Sequence, residues 1–245
     1  MKPIGLIGGM SWESTAVYYR HLNEQVRRRL GGLHSADILL RSFDFARIVD
    51  LQTRGAWTQA AAELADAAGA LEAAGAGVIL ICTNTMHKVA AEVQAAIGIP
   101  LLHIADTTGA AVVAAGCRRP LLLATRYTME QTFYVDRLTS RHGLAPLLPD
   151  AAERAIVHGV IFDELCQGIL REDSRTAFRA IMEQGRRNGA DSVILGCTEI
   201  GLLVGPSDID LPVFDSTLLH ADAALDLMSV DEVEGMPALR SLALG

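Results

Sequence analysis

Short aliphatic runs that end in Gly, Thr or Cys alternate along this chain with longer, Ala-rich amphipathic stretches. The runs have the length of buried β-strands and the stretches have the periodicity of helices, an alternation typical of βαβ units. We therefore predict an α/β fold with mostly parallel sheets flanked by helices. The expected strands are Ile4 to Ile7, Asp37 to Ser42, Gly77 to Cys82, Leu101 to His103, Pro120 to Ala124, Val193 to Leu195 and Val213 to Phe214.

The amphipathic stretches predict eight helices, which follow most of these strands. They are Trp12 to Leu30, Thr58 to Ala74, Lys88 to Ile97, Thr107 to Ala115, Met129 to Arg141, Ala151 to Leu170, Arg175 to Asn188 and Ser216 to Met228. Residues 229–245 contain Gly235 and Pro237, and we expect them to form a mobile tail.

Composition limits the classes of protein to which the chain can belong. Half of the 245 residues are hydrophobic, which is enough to bury a full core and excludes a disordered chain. The net charge of -8 argues against a nucleic-acid-binding surface, which needs clustered Lys and Arg. No apolar run is long enough to span a membrane, and the first residues enter a glycine turn too early for a signal peptide. We expect a cytoplasmic protein that binds neither nucleic acid nor a membrane.

Two segments of the chain resemble each other. One runs from Gly75-Ala76 through Val-Ile-Leu to Cys82, and the other runs from Gly189-Ala190 through Val-Ile-Leu to Cys197. Because ligands bind outside the carboxyl ends of parallel strands, the two strand ends could face each other across a cleft, which favours two half-sized domains over one. We expect residues 1–104 with 212–228 to form the first domain and residues 105–211 the second.

The two segments align in two registers that differ by one residue. Matching the Val-Ile-Leu triplets pairs Cys82 with Cys197, whereas counting eight residues from Gly75 and from Gly189 pairs Thr83 with Cys197. A one-residue slip moves a side chain to the other face of a strand. The register therefore decides which of Cys82 and Thr83 faces a ligand.

The first strand leads through Gly8-Gly9-Met10-Ser11 into a helix. Glycines permit close backbone approach, and a helix N-terminus attracts an anion such as a carboxylate. The spacing is not that of a dinucleotide-binding GxGxxG motif. The segment is therefore either a small-anion site or a turn that the backbone requires, with Ser11 as helix N-cap in both cases.

Small polar residues follow the strand that ends at Cys82, in the order Thr83-Asn84-Thr85-Met86-His87. Several hydrogen-bond donors at a strand end suit the carboxylate or ammonium group of a substrate. The alternative is a capping sequence, because Asn and Thr are ordinary N-caps. His87 lies four residues after Thr83, so the two side chains can share one face of a helical turn.

Cys197 stands in Gly196-Cys197-Thr198-Glu199, where the next helix is expected to begin and where the helix dipole favours a thiolate. The alternative is a buried thiol near a polar turn. The segment from Thr125 to Thr128 is another polar strand end with the same two interpretations. Cys117, near a helix end, and Cys166, within a helix, are expected to be structural, and no cysteine has zinc-site spacing.

Ile4 to Met10, Asn84 to His87 and Gly196 to Glu199 together resemble the aspartate/glutamate racemase family of cofactor-independent amino-acid racemases. The resemblance extends from Met1 to about Met228 and is greatest to the bacterial broad-specificity, or L-aspartate/glutamate-specific, branch. It implies two similar α/β domains, an active site between them, a homodimer and two opposed acid/base residues, commonly both cysteine. It implies neither a metal nor another cofactor.

Aligning the family's Cys-Asn-Thr-x-His motif onto Asn84 to His87 places Thr83 where a cysteine is expected, and the second cysteine falls on Cys197. The resemblance thus implies an unequal catalytic pair, Thr83 and Cys197, with Cys82 as a lesser candidate. A helix lysine of some aspartate-preferring relatives aligns with Cys166, which argues against strict aspartate preference. The implied substrate contacts are Met10, Ser11, Asn84, Thr85, Thr125, Thr128, Thr198 and Glu199, with Gln52, in the loop after the second strand, as a weaker candidate.

Racemisation needs a base and an acid on opposite faces of the substrate Cα. Cys197 suits the base, whereas Thr83 needs help from water, His87 or a neighbouring thiol. The only lysines are Lys2 and Lys88, which argues against pyridoxal phosphate bound as a lysine Schiff base. Two alternatives stay open: a cysteine-dependent isomerase or decarboxylase of dicarboxylic acids with a related fold, and a non-catalytic small-anion-binding protein.

Overall fold

The computed structural model describes residues 2–230. The chain divides into two compact units, after Ile104 and again after Leu219. Of the described residues, 2–104 and 220–230 form the first unit, and Ala105–Leu219 form the second. Among the described residues, no helix is both long enough and apolar enough to cross a membrane.

The first unit contains four strands: β1 (Ile4–Gly8), β2 (Ile38–Ser42), β3 (Val78–Ile81) and β4 (Leu101–Leu102). All pair in parallel, in the order β2-β1-β3-β4. The helices of this unit are α1 (Trp12–Leu30), α2 (Phe45–Thr53), α3 (Trp57–Ala73) and α4 (Ala90–Ala95), and a 3₁₀ helix covers Thr85–Val89.

The second unit contains three strands: β5 (Pro120–Leu123), β6 (Ser192–Leu195) and β7 (Val213–Asp215). They form a parallel sheet in the order β5-β6-β7. The helices are α5 (Ile104–Ala114), α6 (Arg126–Glu130), α7 (Thr132–His142), α8 (Ala151–Asp163), α9 (Glu172–Arg187), α10 (Ile200–Leu203) and α11 (Ser216–Val230), the last of which continues into the first unit.

The first sheet buries different side chains on its two faces, because successive residues of a strand point in opposite directions. Ile79 and Ile81 of β3 join an apolar cluster that includes the alanines of α3. Leu80 points the other way, into a cluster with Tyr18 of α1 and residues of α11. Cys82, two residues after Leu80, belongs to that second cluster. The alternation along β3 thus fixes the direction of the side chains that follow it.

The predicted class, parallel α/β sheets flanked by helices, is confirmed. Two predicted helices are interrupted. The one over residues 129–141 is split into α6 and α7 by Gln131, whose backbone is extended. The one over residues 151–170 ends at Asp163, and after a short 3₁₀ helix Gly168 adopts a left-handed conformation that stops it. Cys166 therefore lies in a 3₁₀ helix, Leu165–Gln167, rather than within an α-helix.

Two further assignments differ from the predictions. Residues 212–219 belong to the second unit, because β7 pairs with β6; the expected first domain therefore loses this stretch. The loop predicted after β2 contains α2, which begins where the Asp44 carboxylate accepts a hydrogen bond from the Ala46 N–H over 3.1 Å. Of the predicted tail, 229–245, residues 229 and 230 end α11, and the part from residue 231 lies outside the described residues.

Candidate functional site

β3 and β6 end in the same way, although they belong to different units. The N–H of Cys82, the first residue after β3, donates to the carbonyl of Ile7 in β1 over 2.9 Å. The N–H of Gly196, the first residue after β6, donates to the carbonyl of Leu123 in β5 over 2.7 Å. Cys82 and Gly196 therefore occupy equivalent backbone positions.

The next residue at each strand end is Thr83 in the first unit and Cys197 in the second. This equivalence matches the register counted from the two Gly-Ala pairs. The Val-Ile-Leu match is one residue out, because Ile81, and not Leu80, is the counterpart of Leu195 as the last paired residue of the strand.

The equivalent positions 82 and 196 hold different side chains because their surroundings differ. Cys82 is fully buried in the apolar cluster behind the sheet, and this burial raises the pKa of its thiol. A Cβ built at Gly196 would lie 2.6 Å from Leu122 Cδ1, so no side chain fits there without rearrangement. A thiol as buried as that of Cys82 is poorly suited to exchange protons with a ligand.

Thr83 is 9% exposed, and its carbonyl is held by His87. The Nδ1 of His87 lies 2.8 Å from the Thr83 carbonyl oxygen, and its Nε2 accepts the N–H of Ile104 over 3.1 Å. A ring that accepts at Nε2 is a donor at Nδ1, so His87 is neutral in this arrangement. His87 thus binds the backbone carbonyl of Thr83, which supports a role in positioning that residue.

Two further histidines pack against His87. Its ring centroid lies 4.6 Å from that of His103 and 5.5 Å from that of His220. His220 is fully buried between the Tyr18 hydroxyl, 2.8 Å from its Nδ1, and the carbonyl of Leu102, 3.0 Å from its Nε2. Burial, with a smaller contribution from His87, lowers the pKa of His220 to about 3, so this ring is neutral near pH 7.

Asn84 and Thr85 are almost completely buried and lie directly before and at the start of the 3₁₀ helix. Asn84 occupies the N-cap position, but its side chain makes no capping hydrogen bond. The capping alternative therefore does not account for this buried amide. A buried amide and hydroxyl that follow an apolar strand remain candidates for substrate contacts.

The glycine turn after β1 is determined by packing within the first unit. Gly9 has a φ of +80°, and a Cβ there would collide with the backbone of Phe43. The Gly9 N–H donates to the Thr15 hydroxyl over 2.8 Å, and that hydroxyl donates to the Ser11 carbonyl over 3.0 Å. Ser11 is the N-cap residue of α1 but makes no side-chain capping bond. In this structure the Gly9 N–H is engaged internally, which argues against an anion at that amide.

Gln52 lies in α2 rather than in a loop, and it is buried. Its Nε2 is 3.2 Å from the sulfur of Met86, which belongs to the 3₁₀ helix after Thr83. Met10 packs in the same apolar cluster as Met86. Gln52 thus contacts the 3₁₀ helix that follows β3, and Met10 shares an apolar cluster with a residue of that helix.

Thr125 in the second unit performs the capping role that was the alternative interpretation of this segment. Its hydroxyl oxygen accepts the N–H of Thr128 at 3.4 Å, at the start of α6. The two hydroxyl oxygens lie 3.3 Å apart, and both residues are buried. At least part of the polar character of this strand end therefore serves the local fold.

Cys197 is 7% exposed and forms a hydrogen bond with a carboxylate. Its thiol donates to Glu199 Oε2 over 3.1 Å, and the Thr198 hydroxyl donates to the same oxygen over 2.7 Å. Burial, then the charge of Glu199 and then that of Cys166, raise the pKa of Cys197 well above its usual range. The thiol therefore keeps its proton in this structure.

This state corrects the expectation of a thiolate stabilised by a helix dipole. The helix that follows, α10, has only four residues and begins at Ile200, with Glu199 as its N-cap. The dipole of so short a helix is small, and the nearest charge to the sulfur is negative. The contact between Cys197 and Glu199 was not predicted, because no residue pattern shows that a side chain two residues away turns back toward the sulfur.

The residues predicted for the site fall into two groups, one at the carboxyl edge of each sheet. The first unit holds Met10, Ser11, Gln52, Cys82, Thr83, Asn84 and Thr85, and the second holds Thr125, Thr128, Cys197, Thr198 and Glu199. Within residues 2–230, no three His, Cys, Asp or Glu side chains are grouped so that they could hold a metal ion.

Three comparisons relate the chain to known proteins. The family model described as Asp/Glu/Hydantoin racemase matches residues 7–224. The broad specificity amino-acid racemase RacX of Bacillus subtilis is 22% identical over 160 residues, which are 65% of this chain and 68% of RacX.

Two solved structures are similar over nearly the whole chain. A putative Asp/Glu racemase from Yersinia pestis has a TM-score of 0.86 and 52% identity, over 93% of this chain and 99% of that one. An aspartate racemase homologue from Pyrococcus horikoshii has a TM-score of 0.82 and 33% identity, over 94% of this chain and 100% of that one.

Proposed function

The chain belongs to the Asp/Glu/hydantoin racemase family, and we propose that it interconverts the L and D enantiomers of amino acids without a cofactor. The proposed reaction is a two-base transfer of the Cα proton, in which Thr83 and Cys197 act on opposite faces of the substrate. The proposed substrates are aspartate, glutamate or a broader set of amino acids.

The equivalence of Thr83 and Cys197 is the observation that supports this proposal most strongly. Each is the second residue after an inner strand of a parallel sheet, and each follows the same backbone hydrogen bond. Two related strand ends, one in each unit, suit a reaction that treats the two faces of one carbon in a similar way. The full burial of Cys82 further supports the choice of Thr83.

The proposed reaction begins when the Cys197 sulfur, after losing its proton, removes the Cα proton from one enantiomer. A proton from the Thr83 hydroxyl then reaches the opposite face, and the reverse reaction uses the same groups in the opposite order. Thr83 is the weaker acid/base group, because a hydroxyl ionises less readily than a thiol. The imidazole of His87 fixes the Thr83 backbone by binding its carbonyl oxygen.

The substrate contacts in this proposal lie around the two strand ends. Asn84, Thr85 and Thr198 carry amide and hydroxyl groups that suit the α-carboxylate and the negative charge that develops on it. The other proposed contacts are Met10, Ser11, Gln52, Thr125, Thr128 and Glu199. Cys166 in place of a lysine supports a range of substrates wider than aspartate, in keeping with the broad specificity for which RacX is named. A cytoplasmic homodimer is the proposed form of the enzyme.

The test is Cα proton exchange in D₂O, followed by NMR with each enantiomer of aspartate, glutamate and a panel of other amino acids. We expect exchange and racemisation by the wild type, loss of both in Cys197→Ala, a large reduction in Thr83→Ala, and retention in Cys82→Ala. If Cys197→Ala kept full racemisation, or if Cys82→Ala alone abolished it, the assignment of the two residues would be wrong.

The two enantiomers of a free amino acid have equal energy, so kcat/KM must be the same in both directions. Because the two proton-transfer groups are unequal, we expect kcat and KM each to differ between the enantiomers. A racemase with a symmetric pair would not need to show this difference.

A further inference from the structure

The Cys197 thiol must lose a proton before its sulfur can remove one from carbon. The side chain that lies in position to receive that proton is Glu199, whose Oε2 accepts the thiol hydrogen bond over 3.1 Å. Both side chains are almost completely buried, so the thiol has this carboxylate directly beside it. This contact places a proton acceptor next to a buried thiol.

We propose that Glu199 holds the proton of Cys197 during turnover and returns it to solvent as the cycle closes. This role rests on the proposed racemase function, and it is additional to any contact that Glu199 makes with substrate. It makes Glu199 a positioning and proton-holding partner of Cys197.

The local backbone supports this role. Glu199 occupies the N-cap position of α10, where a carboxylate ordinarily accepts a backbone N–H of the first turn, but its side chain makes no capping bond. It turns back toward the preceding residues instead, where the Thr198 hydroxyl donates to the same Oε2 over 2.7 Å. Oε2 therefore accepts two hydrogen bonds, one from the Cys197 thiol and one from the Thr198 hydroxyl. Thr198 thus holds Oε2 in place beside the sulfur.

The protons balance over one cycle. The thiol proton passes from Cys197 Sγ to Glu199 Oε2, and the resulting thiolate takes the Cα proton, which restores the thiol. The Thr83 hydroxyl gives its proton to the opposite face of Cα, and water restores that hydroxyl. Glu199 then releases its proton to water, so the enzyme returns to its starting state with no net gain or loss of protons.

The same carboxylate makes the thiolate harder to form and stronger as a base once it forms. A negative charge beside the sulfur disfavours the thiolate, and a less stable thiolate binds a proton more tightly. Removing the charge of Glu199 should therefore affect two measurable properties of Cys197 in opposite directions.

The experiment compares Glu199→Gln with the wild type and with Glu183→Gln, a control that removes a carboxylate of an ion pair on the surface of α9. The first measurement is the rate at which iodoacetamide alkylates Cys197 at pH 8, read at that residue by mass spectrometry. The second is kcat and KM for racemisation in both directions. Circular dichroism checks that each variant is folded, and Glu199→Asp, which keeps a carboxylate but withdraws it from the sulfur, serves if Glu199→Gln does not fold.

We expect alkylation of Cys197 to become about tenfold faster in Glu199→Gln, which is the effect of one pKa unit on the thiolate fraction. We expect kcat to fall about 100-fold in both directions, the usual size of a lost acid/base partner, with a smaller change in KM. Glu183→Gln should behave like the wild type. In Glu199→Asp, the kcat should fall less than in Glu199→Gln.

Three results would overturn the inference. If alkylation and racemisation both became faster, Glu199 would only repel the thiolate. If both became slower, its role would be structural, and if racemisation did not change, Glu199 would hold no proton in turnover. Absence of racemisation in the wild type would contradict the proposed function instead, and the alkylation rates would then still show whether the Glu199 charge controls the Cys197 proton.

Discussion

The ends of β3 and β6 share one backbone arrangement and carry different chemistry. Thr83 is tied by its carbonyl to a neutral histidine, so its surroundings fix its place without offering it a proton acceptor from that ring. Cys197 is tied by its side chain to a carboxylate, so its surroundings act on the group that would react. The repeated fold thus gives Thr83 and Cys197 the same backbone position, whereas the neighbouring side chains determine how readily each residue can lose a proton.

The largest expected effect comes from removing the only thiol of the pair formed by Thr83 and Cys197. In Cys197→Ser the remaining hydroxyl is a much weaker acid/base group, and we expect racemisation to fall about 10³-fold, within the range for loss of an acid/base group. Polarimetry with each enantiomer measures the loss. The matched control is Cys117→Ser, a thiol in the same unit but outside both strand ends, which should keep full activity.

A second difference between the two ends is the histidine cluster behind Thr83. The pKa of His220 is about 3 in the folded protein, against about 6.5 in an unfolded chain, so the unfolded state binds more protons between these values. The free energy of unfolding should therefore decrease as the pH falls from about 6.5 toward 3, by up to about 1.4 kcal/mol per pH unit.

Urea denaturation between pH 4 and pH 7 measures this dependence. His220→Gln removes the titrating ring and should flatten the profile, even if the variant is less stable at pH 7. An unchanged slope in the variant would show that other groups cause the acid sensitivity.

The equivalent positions 82 and 196 give a matched pair of stability tests. Gly196→Ala places a Cβ against Leu122 and Ala124 and should cost roughly 1–3 kcal/mol through overpacking. Cys82→Ala only shortens a buried side chain and should cost about 1 kcal/mol. Denaturation curves of both variants rank the two costs. A larger cost at Cys82 than at Gly196 would contradict the packing described for these strand ends.

The change with the smallest expected effect is one that makes the two strand ends chemically alike. Thr83→Cys places a thiol at both equivalent positions, and because a thiol exchanges protons more readily than a hydroxyl, we expect turnover to rise about tenfold. The difference in kcat between the enantiomers should also decrease. Initial rates in both directions test this, and Thr83→Ser, which keeps the hydroxyl, should stay within about threefold of the wild type.

The sequence was sufficient to predict the parallel α/β class, because aliphatic runs alternate with amphipathic stretches along most of the chain. It also indicated both strand ends, since polar residues after a buried strand stand out. It left the register between Cys82 and Thr83 open, because that choice depends on which neighbouring carbonyls receive the N–H groups of residues 82 and 196, and the pairing of strands settles this only in three dimensions.

The contacts of Glu199, His87 and His220 were beyond prediction for a related reason. Each depends on side chains or backbone groups brought together by folding, such as Ile104 against His87 or Leu102 against His220. A helix was expected to begin near Cys197, but its length was not predicted, since the four residues of α10 leave no periodic pattern. The expected thiolate at Cys197 was wrong because it assumed a longer helix and no carboxylate beside the sulfur.

The complete burial of Cys82 has a consequence for experiments on the intact molecule. Because its sulfur has no solvent exposure, a thiol reagent can reach it only when the first unit opens. The rate at which Cys82 is modified under native conditions therefore measures how often that unit opens. This measurement needs no added label, because the thiol belongs to the protein, and a ligand that stabilises the first unit should slow the modification.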